Sequence, residues 1–290
     1  MNDIKFSVVI PLYNKGQSIV NTVLSVLNQS YQNFEIVIIN DGSTDSSVDA
    51  VKTINDERIR LIHQENQGVS AARNKGIQES KYEWIAFLDG DDLWEMNHLE
   101  EVVKMMNLFP YDKVYVTSFE YSDKREMYKN ERKSSVFKIE DYFKEAIDEI
   151  LLWTSIVVLN KECIEKVGGF NINLNRGEDL DLWARLAKNY RIIKSTKITA
   201  IYRVDAENRT NLSKKLKNTH VYYFNFEKYD NSNEFNYHQQ VLFNTLFSYM
   251  KALYFLCFFK LILHHNSMGY IRFLKFFCTR VKNKMSVRLR

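Results

Sequence analysis

The chain has 290 residues, 45% hydrophobic and 26% charged, a balance that fits a folded globular protein and excludes a disordered or fibrous one. Its net charge of +4 hides an asymmetry: residues 235–290 carry nine Lys or Arg and no Asp or Glu, leaving 31 basic against 36 acidic residues in 1–234. Cys163, Cys257 and Cys278 form no CxxC pair and no metal spacing, which argues against a disulfide framework or a zinc site and for buried or membrane-facing thiols in a reducing compartment. The start, MNDIKFSVVI, lacks a basic region followed by a long apolar stretch, so a cytoplasmic location is expected.

In chain order, residues 6–12 (FSVVIPL) are a continuous apolar run, as in a strand buried on both faces. Residues 18–27 place Ile19, Val23, Val26 and Leu27 at helical spacing. Residues 34–40 (FEIVIIN) give a second buried strand, and Ser43 or Thr44 can cap a helix that Asp45 opens. A third strand is expected at 58–63, a helix at 69–79 after Gly68, and a fourth strand at 84–88. That strand runs into Asp89-Gly90-Asp91-Asp92, and a helix follows at 98–108. Residues 120–150 are charged and give no clear pattern, with an exposed loop expected at 128–135. A strand at 153–159, a helix at 161–167 ended by Gly168-Gly169, a helix at 178–188 and one or two strands over 191–203 complete the first part. From about Leu212 onward the pattern is helical and rich in Tyr and Phe.

This order implies an α/β fold with a mostly parallel central sheet. Ligands of such sheets bind outside the carboxyl ends of the strands. The rule sets Tyr13-Asn14, Asp41 and Asp89–Asp92 along one rim, although they are far apart in sequence. Asp89 and Asp91 are one residue apart, so in an extended segment both carboxylates face the same way and can share a hard cation. Gly90 between them permits close backbone approach. The plain alternative is a solvated acidic turn capping the next helix. Asp41-Gly42 likewise suits either a contact to a base or ribose, or ordinary turn-and-cap chemistry. Glu178-Asp179 places two carboxylates at a helix start, favourable in itself and also available to a cleft.

Taken together, SVVIPLYN (7–14), NDGSTDSS (40–47), NQGVSAARNKG (66–76) and FLDGDDLW (87–94) resemble, in order and spacing, the inverting family 2 glycosyltransferases of GT-A type. GGF (168–170) and GEDLDLWARL (177–186) extend the resemblance, and IYRVD (201–205) extends it weakly. It covers about residues 4–205. The resemblance implies a nucleotide-sugar-binding domain over 1–211, with a nucleotide half of about 1–110 and an acceptor half of about 111–211, followed by a helical extension over 212–290. It implies that Pro11, Tyr13 and Asp41 line the nucleoside site, that Arg73 approaches base and phosphates, and that Asp89 and Gly90 stand near the ribose. Asp91, with Asp89, is implied as the ligand of Mn²⁺ or Mg²⁺, and Asp92 as a loop or helix-capping residue. Asp179 is implied as catalytic base, with Glu178 and Trp183 on the acceptor side. Many family members carry His near Asp205, so the role of Asp205 is open. Trp94 and Trp153 are further stacking candidates, though core packing is the commoner fate of Trp.

The expected activity is transfer of a sugar from a nucleotide diphosphate sugar, UDP-linked in most members, to a hydroxyl of a saccharide acceptor. A lipid-linked acceptor in bacterial cell-surface polysaccharide synthesis, of O-antigen kind, is expected by analogy. The alternatives are a retaining glycosyltransferase, a nucleotidyltransferase, and a membrane-attached scaffold with a relict sugar-nucleotide site. Residues 241–263 are apolar enough to tempt a membrane-span reading, but Lys251 near the centre favours interfacial docking. Residues 270–290 interleave Phe273, Leu274, Phe276 and Phe277 with Arg272, Lys275, Arg280, Lys282 and Lys284, which suits an anionic inner-membrane surface on the cytoplasmic side rather than nucleic acid. A helical subdomain packed on protein, or on a second copy in a homo-oligomer, is the other reading.

Overall fold

The computed structural model describes residues 4–129, 131–132, 134–208, 214–226, 228 and 233–265. The chain divides into two compact units, Met1–Thr210 and Asn211–Arg290.

The first unit opens as alternating strands and helices: β1 (Phe6–Leu12), α1 (Ile19–Leu27), β2 (Phe34–Asp41), α2 (Ser47–Lys52), β3 (Ile59–Gln64), α3 (Val69–Glu79) and β4 (Trp84–Phe87). The apolar runs become strands because both of their faces are covered: β2 is buried at every position and β1 at all but Pro11. These four strands are parallel, in the order β3-β2-β1-β4. Each fully buried Val, Leu or Ile there contributes about 1.5–3 kcal/mol.

The second half of this unit contains β5 (Leu93–Trp94), α4 (His98–Leu108), β6 (Val114–Tyr121), β7 (Val136–Lys138), α5 (Tyr142–Glu145), β8 (Val157–Asn160), α6 (Lys161–Val167), α7 (Glu178–Asn189) and β9 (Ile192–Tyr202). Here the sheet becomes mixed. β8 lies antiparallel between β4 and β6, β9 runs parallel to β6, and β5 and β7 run antiparallel to β9. The result is an α/β fold with a nine-stranded central sheet. The parallel strands carry the rim of the site, and the mixed half builds its far wall.

Three local readings need revision. Residues 153–159 are a short 3-10 turn (Thr154–Ile156) before β8, not one strand. That turn brings Ser155 against the Asp89–Asp92 loop. α2 starts at Ser47, because Asp45 precedes the helix and accepts from the backbone N–H of Ser47 at 3.0 Å and of Gly16 at 3.0 Å. β6 has no counterpart in the sequence reading, since VYVTSFEY mixes polar residues into a strand whose first six positions are buried.

The second unit contains α8 (Asn233–Lys251) and α9 (Phe255–His264), with 3-10 turns at Leu216–Asn218 and His220–Tyr223. Its core joins Leu242, Phe243, Leu246 and Tyr249 of α8 to Leu261 of α9 and to Val221 and Phe224. The apolar stretch 241–263 is broken between the helices, where Leu253 takes φ 60°. No helix among the described residues is long and apolar enough to cross a membrane. The basic, Phe-rich segment 270–290 lies outside the described residues.

Candidate active site

The carboxyl end of β2 fixes one end of the site. Asp41 is buried and accepts three hydrogen bonds: from the Gln64 side chain at 2.7 Å and from the backbone N–H of Gln67 and Gly68, each at 2.9 Å. It thereby pins the 64–68 loop that leads into α3. Tyr13 stands half exposed at the end of β1, and its carbonyl accepts from Asn208 Nδ2 at 3.0 Å.

The loop after β4 carries the acidic cluster. A Cβ on Gly90 would lie 2.9 Å from the Pro11 carbonyl oxygen, so only glycine lets this loop close on β1. Arg73, buried on α3, bridges two carboxylates: Nη2 donates to Asp89 Oδ1 at 2.6 Å and Nη1 to Glu178 Oε1 at 3.0 Å. Its guanidinium also lies over the Phe170 ring, 5.0 Å from the centroid. Asp91 Oδ2 pairs with Lys15 Nζ at 2.6 Å, and that ammonium donates as well to the carbonyls of Glu207 and Asn208. Asp92 turns inward and accepts from Ser155 Oγ at 2.8 Å and from the Arg203 N–H at 3.1 Å, which makes it a loop fastener. Burial pushes the carboxyls of Asp91 and Asp92 upward; Lys15 works against this at Asp91, and the charges of Asp89 and Asp91 add to it at Asp92.

The opposite wall is the start of α7. Gly177 takes φ 76° at the N-cap, and Glu178, Asp179 and Asp181 fill the first turn, where the helix dipole favours negative charge. Asp179 Oδ1 accepts from the Leu180 N–H at 2.8 Å. Burial, then the neighbouring Glu178 charge, raise the Asp179 carboxyl to about 6, with Arg73 opposing them. A carboxylate with that value is suited to accepting a proton near neutral pH.

A cavity of about 660 Å³ joins these walls. Pro11, Tyr13, Asp41, Arg73, Asp89, Gly90, Asp91 and Glu178 all line it, so the structure assembles the scattered residues singled out in the sequence. Asp179 stands beside Glu178 but is not on the lining. Trp183 is corrected: it is wholly buried, packed edge-on at 6.1 Å from Phe170, and presents no face to a sugar. Trp94 stacks on His98 at 4.0 Å, Trp153 packs at a tilt against Phe119 at 4.6 Å, and both are buried. Asp205 is exposed and pairs with Arg203 at 3.3 Å, off the lining. Sequence reasoning missed Lys15, Ser70, Tyr202, Arg203 and Asn208, which do line the cavity. Lys15 directly follows the Tyr13-Asn14 signal, Ser70 lies within the 66–76 motif and Tyr202 and Arg203 within 201–205, and Asn208 carries no signal. The Ser70 hydroxyl and Arg73 Nε are buried without a hydrogen-bond partner, which leaves two donors for a ligand.

The acidic loop has the donor chemistry for a hard divalent ion. Asp89 accepts from Arg73 through Oδ1 and Asp91 from Lys15 through Oδ2, and a carboxylate can offer its other oxygen to a cation. Among the described residues no group of three or more His, Cys, Asp or Glu could hold an ion unaided. An ion here would therefore complete its shell with substrate oxygens, which is how Mg²⁺ commonly binds beside phosphates.

Residues 7–168 match the family described as Glycosyl transferase family 2. An uncharacterized glycosyltransferase of Rickettsia bellii is 33% identical over 213 residues, which are 72% of this chain and 30% of that protein. Glycosyltransferase GlyG of Streptococcus pneumoniae serotype 4 is 38% identical over 120 residues, 40% of each chain. The chain spans about a third of the length of the Rickettsia relatives it matches. Among solved structures, S. aureus TarS 1-349 in complex with UDP-GlcNAc superposes with a TM-score of 0.62 at 18% identity, over 91% of this chain and 73% of that one. The same protein in complex with UDP gives 0.61 at 21% identity, over 69% and 61%. At these identities the likeness to TarS concerns the fold.

Proposed function

The chain belongs to glycosyl transferase family 2, and from that premise we propose that it transfers a sugar from a UDP-sugar to a hydroxyl of a saccharide acceptor, inverting the anomeric centre. The observation that carries this reading is one cavity holding Asp89 and Asp91 on one wall and Glu178, with Asp179 beside it, on the other. UDP is favoured because the TarS structures are described with UDP and UDP-GlcNAc.

Asp41 holds the 64–68 loop at the nucleoside end, and Tyr13 offers an exposed ring beside it. Asp91 and Asp89 would hold Mn²⁺ or Mg²⁺, which supplies Lewis-acid stabilisation of the leaving diphosphate. Arg73 fixes Asp89 and Glu178 relative to each other, so donor and acceptor walls keep register. Asp179 removes the proton from the acceptor hydroxyl as that oxygen bonds to the anomeric carbon and the bond to the diphosphate breaks. Such a base is worth roughly 10²–10⁴-fold in rate. A lipid-linked saccharide acceptor, used at the cytoplasmic face of a bacterial inner membrane in surface-polysaccharide synthesis, extends the same reading; the basic, apolar character of the second unit supports it.

Calorimetric titration with UDP, GDP, CMP and ADP, with and without Mn²⁺, tests the donor assignment. Tight, Mn²⁺-dependent binding of UDP is expected; binding of none of the four would sink it. Anomer analysis of the product then separates inversion from retention.

A further inference from the structure

The second unit turns apolar side chains to water. Phe255, Leu256, Phe259 and Leu263 of α9 are 49–70% exposed, while Cys257 and Leu261 on its other side lie in the unit's core. At about 100° per residue the four exposed residues fall in an arc of about 100°, and Lys260 borders it. Across a groove of about 1010 Å³, Lys214, Lys215 and Lys217 face the same apolar rim. Lys214 Nζ lies 4.7 Å from the centroid of the Tyr254 ring. An exposed apolar arc of this kind, edged by lysines, marks an interaction surface.

Charge selects the occupant. Residues 211–290 hold thirteen Lys or Arg and three Asp or Glu. Residues 266–290 hold seven basic side chains and no acidic one, so that segment would bring like charge against the groove lysines. A second copy of this face would do the same. An anionic surface reverses the sign. We infer that α9 and the 214–217 rim dock this protein on an anionic lipid bilayer, with the apolar arc at the acyl boundary and the lysines among the headgroups. At ten residues α9 is too short to cross, so it lies in the surface plane. This inference goes beyond the donor reading and does not depend on it.

The test is co-sedimentation of the full chain with vesicles of phosphatidylcholine alone or with about a third phosphatidylglycerol, where each lysine near the surface is worth about fivefold in binding. Binding to the anionic vesicles is expected to be at least about tenfold tighter. The double variant Leu256→Ser/Phe259→Ser should weaken it by about tenfold or more, because two apolar side chains leave the acyl boundary. Lys217→Gln/Lys260→Gln should weaken anionic binding by roughly 20–30-fold and leave neutral vesicles unaffected. Far-UV circular dichroism and the thermal midpoint, measured on the same samples, should not change, which shows that the variants fold and keeps this test separate from the donor assignment. Wild type failing to sediment with anionic vesicles overturns the inference. Equal sedimentation of wild type and the Ser variant overturns it too, as does dimerisation in solution that the Ser variant abolishes.

Discussion

The acidic rim of the first unit and the α9 face of the second handle charge in opposite ways. At the rim, Asp91 meets Lys15 at 2.6 Å, and Arg73 meets Asp89 and Glu178 at 2.6 and 3.0 Å. On the second unit Phe255, Leu256, Phe259 and Leu263 stand exposed near Lys214, Lys215, Lys217 and Lys260. Paired ions in a cleft hold atoms to within ångströms, which is what bond-making requires. An exposed apolar and basic face holds a surface, where position matters little and area matters more.

The contrast predicts that substitutions at the rim are costly and specific, and those on the face cheap in stability. The largest effect is expected from Asp179→Asn: transfer falls by roughly 10²–10⁴-fold with UDP binding retained, as steady-state rates and calorimetry would show. Near-normal turnover would remove Asp179 as the base. Next comes Arg73→Met, which leaves Asp89 and Glu178 facing each other without their shared cation. Breaking such a buried pair costs about 3–5 kcal/mol, read as a lower midpoint in urea. An unchanged midpoint would mean that the wall-to-wall bridge carries no stability.

Asp91→Ala should weaken Mn²⁺-dependent UDP binding by roughly ten- to a hundredfold, the worth of about 1.5–3 kcal/mol for an ion-assisted contact. Unaltered metal dependence would move the ion elsewhere. The pH profile sharpens the base assignment. Asp179 must be deprotonated to act and its carboxyl is raised to about 6, so kcat/KM should be level above that pH and fall about tenfold per pH unit below it. A profile flat to pH 4.5 would contradict this. The smallest effect belongs to the face: Leu256→Ser should shift stability by no more than about 0.5 kcal/mol, whereas Ile38→Ala in the buried β2 should cost about 2–5 kcal/mol. A large loss at Leu256 would show that the face is packed rather than presented.

The legible parts of the site are those where local pattern and chemistry coincide. A buried strand followed at once by Asp41, or by Asp89-Gly90-Asp91, announces a strand end on the rim, because the parallel sheet forces all such ends to one side. The family resemblance named Asp179 and Arg73. It did not reveal that Arg73 is engaged by Asp89 and Glu178, or that Asp92 is spent on Ser155 and the Arg203 backbone. Trp183 shows the limit from the other side. Its neighbours in sequence point to the site, yet the helical turn that offers Glu178 to the cavity rotates Trp183 into the core.

Sequence alone determined the parallel half of the sheet, the rim, and the charge difference between the two ends of the chain, because each depends on residue type and near-neighbour spacing. Tertiary structure alone decided the mixed half of the sheet, with β6 between β8 and β9, and the contacts of Lys15, Ser70 and Asn208. It also decided which face of α9 looks outward. Those outcomes join residues up to about two hundred positions apart, as Lys15 is joined to Asn208. No local pattern encodes which distant partner will take up a given charge or cover a given apolar face.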